Sequence, residues 1–241
     1  MNPFRIYSNT NNYSEGYPFL QPSFIDNFEW VHTYKQVLTT VAYLSIKKDG
    51  SGTIFSADDE TDIQAIIRRN FYDDFLLGIG EIYQFKKFSW WESQNQFFAT
   101  YYKANFDNDI IDATPKNGIR YYAQTSNTFF LNSTTRLQMN FFYSSKQNRG
   151  LSSQGARHGL DIGLRKSFWD KKLQVALFAK DIFDKGSLNN SLSEVNGIEV
   201  NFGMNYSRRY VRLSMTYNFG NNKINVRERR FGNADETQRS N

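Results

Sequence analysis

The chain has 241 residues, a formal net charge of +5 and no cysteine. This length suffices for one large all-β domain or two small domains, and the lack of cysteine excludes a disulfide framework and a thiolate metal site. The positive charge is spread along the sequence apart from a basic run near the end, which argues against a nucleic-acid-binding surface. No apolar run of about 18 residues occurs, so no membrane helix is predicted.

Alternation of apolar and polar residues predicts β-strands along most of the chain. The first strand is residues 24–34, where Phe24, Phe28 and Trp30 share one face. Segments 37–46, 74–85, 91–103 and 118–130 are β-rich without a clean alternation. The stretch 58–70 has isoleucines spaced for a short helix, although strand pairing would suit residues 63–71 as well.

Four later segments alternate strictly, so each has one apolar face. With the five segments above they give nine strands of about 10–13 residues, the length needed to cross a bilayer at a tilt. A soluble sandwich and a lipid-facing barrel can both show this alternation. The apolar positions are Leu137, Met139, Phe141 and Tyr143; Leu160, Ile162 and Leu164; Leu173, Val175, Leu177 and Ala179; and Val211, Leu213, Met215, Tyr217 and Phe219.

The connections alternate in length, which favours the barrel. Outer-membrane barrels have short turns on the periplasmic side and longer loops outside, whereas sandwiches do not sort their loops in this way. We therefore expect an antiparallel up-and-down transmembrane β-barrel segment. The short connections are 33–36, 86–89, 132–134 and 169–172, and the longer ones are 47–73, 105–118, 145–154 and 184–207.

All four tryptophans lie within a few residues of a short turn. Amphipathic rings favour the headgroup level of a bilayer, so Trp30, Trp90, Trp91 and Trp169 are predicted to form an aromatic girdle on the turn side. The alternative is that aromatic residues simply favour strand ends and cores.

The sequence offers no catalytic, cofactor or metal site, and we expect no enzyme activity. His32 and His158 lack metal-ligand neighbours at useful spacing. His158 and Asp161 fall on opposite faces of a strand, and Gly78 and Gly80 mark a bend or close backbone packing rather than a phosphate loop.

A set of polar residues should face the barrel lumen, where they could meet a ligand or a plug domain, or merely line a wet interior. These residues are Asn140, Asp161, Arg165, Gln174, Lys180 and Arg212.

Three stretches together resemble the C-terminal half of the barrel in TonB-dependent outer-membrane receptors, within the outer-membrane β-barrel family common in Bacteroidetes. "GYPFLQPSFIDNFEW" resembles the family's segment before a strand, with Tyr17 in place of an asparagine. "LDIGLRKSFWDKKLQVALFAKDIFDK" resembles the penultimate hairpin, and "RRYVRLSMTYNFG" resembles the last strand. The resemblance is strong in the last part of the chain and weaker between 50 and 130.

The resemblance implies a barrel of about 22 strands around a plug, importing a scarce or bulky nutrient across the Gram-negative outer membrane with energy from TonB. Tyr217 and Phe219 are similar to the aromatic ending that barrel-assembly machinery recognises. The implied organisation is an extracellular loop over 1–22, barrel strands over 23–219 and a polar periplasmic tail over 220–241. The transported ligand and the residues that bind it stay unknown.

Neither the plug nor the TonB-contact segment is found, and the first 16 residues do not resemble a secretory signal. Because nine strands cannot close a barrel of even strand number, we expect about thirteen strands and the plug upstream, in the missing part of a truncated sequence, in a split gene or in a partner chain. The alternatives are a passive pore or structural outer-membrane barrel without a plug and, less favoured, a soluble secreted β-rich binding module.

Overall fold

The computed structural model describes residues 4–58, 63–186, 188–205 and 209–219, and these form fifteen β-strands. Within these ranges, no helix has the length and apolar character needed to cross a membrane. The strands are β1 (Arg5–Asn9), β2 (Asn12–Glu15), β3 (Phe24–Tyr34), β4 (Leu38–Asp58), β5 (Ile63–Phe88), β6 (Trp91–Phe106), β7 (Asn117–Phe130), β8 (Thr135–Ser144), β9 (Gln147–Arg149), β10 (Ser152–Gln154), β11 (Arg157–Phe168), β12 (Leu173–Lys180), β13 (Leu188–Val195), β14 (Ile198–Asn205) and β15 (Tyr210–Tyr217).

One antiparallel path runs through the main sheet in the order β3, β4, β5, β6, β7, β8, β11, β12, β15. Each of the nine segments predicted from sequence overlaps one strand of this path. Among the described strands, β3 and β15 each pair on one side only, so the sheet is open rather than closed into a barrel.

The four short connections all lie at one end of this sheet, because alternate turns of an antiparallel path must. The turn between β3 and β4 has positive φ at Lys35 (48°) and Gln36 (55°), as in a type I′ hairpin. The turn between β11 and β12 likewise has positive φ from Trp169 to Lys171. We call this the turn end, and the opposite end the loop end.

The long connection predicted between residues 47 and 73 is mostly a β-ribbon. Strands β4 and β5 continue as a paired ribbon to Asp58 and Ile63, with register shifts around Gly50 that mark a bulge. They reach 21 and 26 residues, well beyond the predicted length. Residues 63–71 are therefore strand rather than helix, while 59–62 lie outside the described residues.

Further strands occupy two of the other three loop-end connections, between β8 and β11 and between β12 and β15. β9, β10, β13 and β14 form a second sheet in the order β14-β13-β10-β9. The β1–β2 hairpin, in the predicted loop over 1–22, pairs β2 in parallel with β5. A small hydrophobic core lies at the loop end. Its buried residues are Ile54, Phe71, Ile111, Ala113 and Val195. The predicted tail over 220–241 lies outside the described residues.

The main sheet has one apolar and one polar face. Cross-strand partners Leu164–Leu177 and Leu177–Leu213 carry the apolar face across three strands. Its side chains are uncovered, with Leu213 65% and Met215 67% exposed. So many exposed apolar side chains on one face need a non-aqueous neighbour. Apolar positions predicted from the alternation lie on it, among them Leu137, Leu160, Ile162, Leu173, Val175, Leu213 and Met215.

A hydrogen-bonded polar ladder interrupts the apolar face nearer the turn end. Trp91 Nε1 donates to Asn127 Oδ1 (3.0 Å), and Asn127 Nδ2 donates to Thr125 Oγ1 (2.8 Å). Thr125 Oγ1 donates to Asn95 Oδ1 (2.7 Å), and Asn95 Nδ2 donates to Ser93 Oγ (3.0 Å). The five side chains thus satisfy one another on a mostly apolar face, as polar groups in lipid must.

Candidate functional site: the polar face of the sheet

Glycines on the polar face make room for aromatic rings on neighbouring strands. A Cβ added at Gly78 would lie 2.1 Å from the Tyr43 ring, and one added at Gly80 would lie 2.1 Å from the Phe98 ring. Gly159 stands in the same relation to Phe142, at 2.6 Å. The predicted close packing at Gly78 and Gly80 is therefore packing against rings, which lie flat on the sheet and line the face.

A cleft of about 600 Å³ opens on this face beneath the loop-end sheet, within the size range of small-molecule sites. Its wall includes Tyr43, whose hydroxyl is 2.5 Å from Thr100 Oγ1. Lys47 Nζ donates to the Tyr72 hydroxyl (3.2 Å) and lies 3.7 Å from Asp74 Oδ2. These rings, hydroxyls and paired charges could hold a polar molecule.

The second sheet contributes the upper rim of this cleft. The backbone N–H of Gly150 donates to the Tyr102 hydroxyl at 2.6 Å, and Asn148 Nδ2 donates to the carbonyl of Asn117 at 2.7 Å. The rim is thereby fixed to strands β6 and β7 of the wall. Sequence reasoning missed this site, because its members come from segments without a clean alternation and from connections predicted as loops.

A second cleft, of about 460 Å³, lies on the polar face towards the turn end. Arg165 and Arg136 stand directly opposite each other on β11 and β8, and Arg212 of β15 lines the same cleft. Its other polar lining residues, including Gln138 and Gln174, are uncharged. We call it the arginine cleft.

The six residues predicted to face the lumen all lie on the polar face. Asn140 accepts a hydrogen bond from Ser126 Oγ (2.7 Å), and Asp161 accepts one from the backbone N–H of Asp181 (2.8 Å). Arg165, Gln174 and Arg212 meet in the arginine cleft, and Lys180 lies opposite Tyr210 at the loop end. His158 points to the apolar face, away from Asp161, as predicted.

The tryptophans lie at two distances from the short turns. Trp90 is in the β5–β6 turn and stacks on Phe88, with ring centroids 5.7 Å apart, and Trp91 begins β6. Trp169 is in the β11–β12 turn, 67% exposed. Trp30 is farther from its turn, within β3, stacked on His32. The common girdle stays a prediction.

Tyr217 and Phe219 lie at the turn end of β15, the strand at one edge of the sheet. Tyr217 pairs with Leu173, and its ring packs against Phe219 (centroids 4.5 Å apart) and Trp169 (6.2 Å). Phe219 is 89% exposed, so this ring is available to another protein. Their role as an assembly signal stays a prediction.

Among the residues that the structure describes, no group of three or more His, Asp or Glu side chains could hold a metal ion.

In comparisons with known proteins, a family model described as "Outer membrane protein beta-barrel family" matches residues 1–217. No curated protein and no solved structure matches the chain.

Proposed function

Because the chain belongs to the outer membrane protein beta-barrel family and is located in the outer membrane, we propose that its sheet forms part of the wall of a TonB-dependent receptor. This receptor would import a scarce or bulky nutrient. The observation that carries the proposal is the two-faced sheet, whose apolar face is exposed and whose polar face holds two large clefts.

The open edges of the sheet support a larger barrel. Unpaired backbone groups of β3 and β15 would cost several kcal/mol each in lipid. Further strands would therefore complete the wall, contributed by other residues of the receptor or by a partner chain. With the resembled family as guide, the closed barrel would have about 22 strands, a lumen wide enough for a plug.

The two clefts suit an importer because they place polar side chains along the transport path. The cleft under the loop-end sheet would receive the nutrient first, since the loop end is the outer end if the short turns are periplasmic. The plug would fill the lumen and carry the contact with TonB. Barrel-assembly machinery would read Tyr217 and Phe219, and the chain would have no catalytic role.

Affinity purification from native outer membranes tests this proposal. The tagged chain would be extracted in detergent, and its complex offered the periplasmic domain of TonB. A receptor should retain this domain and show heat-modifiable migration on a gel, and nutrient uptake in cells should require TonB. A heat-modifiable barrel that neither binds TonB nor depends on it would instead be a passive pore or structural barrel.

A further inference from the structure

We propose that the arginine cleft is an oxyanion-binding site, which takes carboxylate or phosphate groups presented in the lumen. Arg136 and Arg165 are a cross-strand pair on one face, and like charges in this position destabilise a sheet unless something neutralises them. Arg212 adds a third guanidinium to the same cleft.

The described residues do not supply the missing negative charge. The ion pairs among them are Arg5–Glu15, Lys47–Asp74 and Lys48–Asp73, all away from this cleft. None of the residues lining the cleft is acidic. Glu92 shares the polar face but stands two strands from Arg136 and lines a different cleft with Lys86.

The unseen part of a larger wall cannot easily supply this charge either. Arg136 and Arg165 lie on β8 and β11, which are flanked by β7 and β6 on one side and by β12 and β15 on the other. A strand added beyond β15 would be three strands from Arg165. The counter-charge of the Arg136–Arg165 pair would therefore come from a molecule or segment in the lumen, whereas Arg212, on the edge strand β15, would border an added strand.

Two of the three guanidinium groups lie over aromatic rings, an arrangement that leaves their N–H donors available. Arg136 stacks over the Phe130 ring at 5.0 Å, and Arg212 lies 5.8 Å from the centroids of Phe178 and Tyr210. Stacking uses the flat face of a guanidinium, whereas its N–H groups point outward in the plane and match a carboxylate or phosphate in pairs.

Around the arginines, the cleft provides neutral hydrogen-bonding groups and space. Gln138, Gln174 and Thr216 can orient an oxyanion without competing for its charge. Gly163 contributes no side chain beside Phe178, which keeps the floor open. An acidic polypeptide segment and a small free anion share the chemistry that this cleft would recognise.

Titration of the complex purified from native outer membranes in detergent tests the site, with inorganic pyrophosphate and a tetra-aspartate peptide as probes. At least one probe should bind, and its affinity should fall with salt. Replacing Arg136→Gln and Arg165→Gln together should weaken it about tenfold or more. Arg120→Gln, which removes one positive charge elsewhere on the polar face and is compared with Arg165→Gln alone, should change it less than about threefold.

Arg165→Lys separates recognition from bulk charge, because lysine keeps the charge but loses the paired donors. It should lose much of the affinity that Arg165→Gln loses. Preference for the peptide would identify a polypeptide segment as the source of the anion, and preference for pyrophosphate a free ligand. Absence of binding to both probes, or equal loss in Arg120→Gln, would overturn the proposal; circular dichroism and heat-modifiable migration confirm that each variant folds.

The oxyanion-site proposal rests on one part of the proposed function, namely that the polar face of the sheet lines a lumen. No TonB is present in these titrations, so the receptor proposal can fail while the oxyanion site stands. The reverse also holds, since TonB-dependent uptake does not require the arginines.

Discussion

Gly80 on β5 lies beneath the ring of Phe98 on β6, so close that a methyl group at Gly80 would stand 2.1 Å from the ring. Gly80→Ala should therefore displace this ring and destabilise the folded chain by roughly 1–3 kcal/mol. Urea unfolding in detergent measures the change.

Gly155→Ala is the matched control, because nothing lies within 4 Å of a Cβ at Gly155. The double variant Gly80→Ala with Phe98→Ala should recover part of the loss, since the added methyl then meets no ring. If Gly80→Ala were as stable as Gly155→Ala, the position of the Phe98 ring would not depend on the absence of a side chain at Gly80.

Charge on the two faces should be tolerated very differently. Ile162→Arg places a cation on the apolar face and should cost about 2–4 kcal/mol near the bilayer midplane. Gln94→Arg, on the polar face opposite the uncharged Gln84 and Ser126, should cost little. Unfolding from lipid vesicles compares the two, and equal costs would mean that the apolar face does not contact lipid.

The polar ladder should behave as a coupled unit. Asn95→Ala leaves Thr125 Oγ1 without its acceptor at 2.7 Å and should cost about 1 kcal/mol or more. The double variant Asn95→Leu with Thr125→Val removes both partners of this bond and suits a lipid-facing surface better. It should be no less stable than Asn95→Ala. If its loss of stability equalled the sum of the losses of Asn95→Leu and Thr125→Val measured separately, the coupling would be contradicted.

The tryptophans should report two depths in the bilayer. Chains that retain one tryptophan, with the other three changed to phenylalanine, would be reconstituted with lipids brominated at known depths. Trp90 and Trp169 should be quenched at one shallow level. Trp30, four residues before the end of β3, should lie about 10 Å deeper, given the rise and tilt of membrane strands. One common depth would support the girdle predicted from sequence.

Phe219 allows assembly to be separated from packing. Because this ring is 89% exposed, Phe219→Ala should leave the stability of the inserted protein within about 0.5 kcal/mol. It should nevertheless reduce the amount inserted into the outer membrane of living cells, if assembly machinery reads the ring. Unchanged insertion, measured by heat-modifiable migration of membrane fractions, would show that Phe219 is not part of the signal.

Much of the wall could be predicted from the sequence, because a half-buried strand imposes a period of two on its side chains. The alternation at Leu160, Ile162 and Leu164 predicted both the strand and its apolar face. The turn at Lys35 and Gln36 carries none of the Asn-Gly chemistry typical of its backbone. It was located only because two strands flank it.

The clefts were harder to predict, because they depend on register. Arg165 was placed on the polar face, but its position opposite Arg136 follows from the pairing of β11 with β8, which no local pattern specifies. The strands at the loop end are short or polar, as in Gln147–Arg149. Their pairing partners are distant in sequence, so the local pattern predicted connections rather than strands.

The pairing of β10 with β13 has a consequence for the order in which the chain acquires its structure. Ser153 of β10 faces Leu192 of β13, and the whole β11–β12 hairpin lies between them in sequence. Closing so long a stretch of free chain carries an entropic cost, which the folded hairpin removes by holding both ends together. The contact between Ser153 and Leu192 should therefore form after the β11–β12 hairpin has folded. The time at which the Leu192 amide becomes protected from hydrogen exchange would then report the completion of insertion.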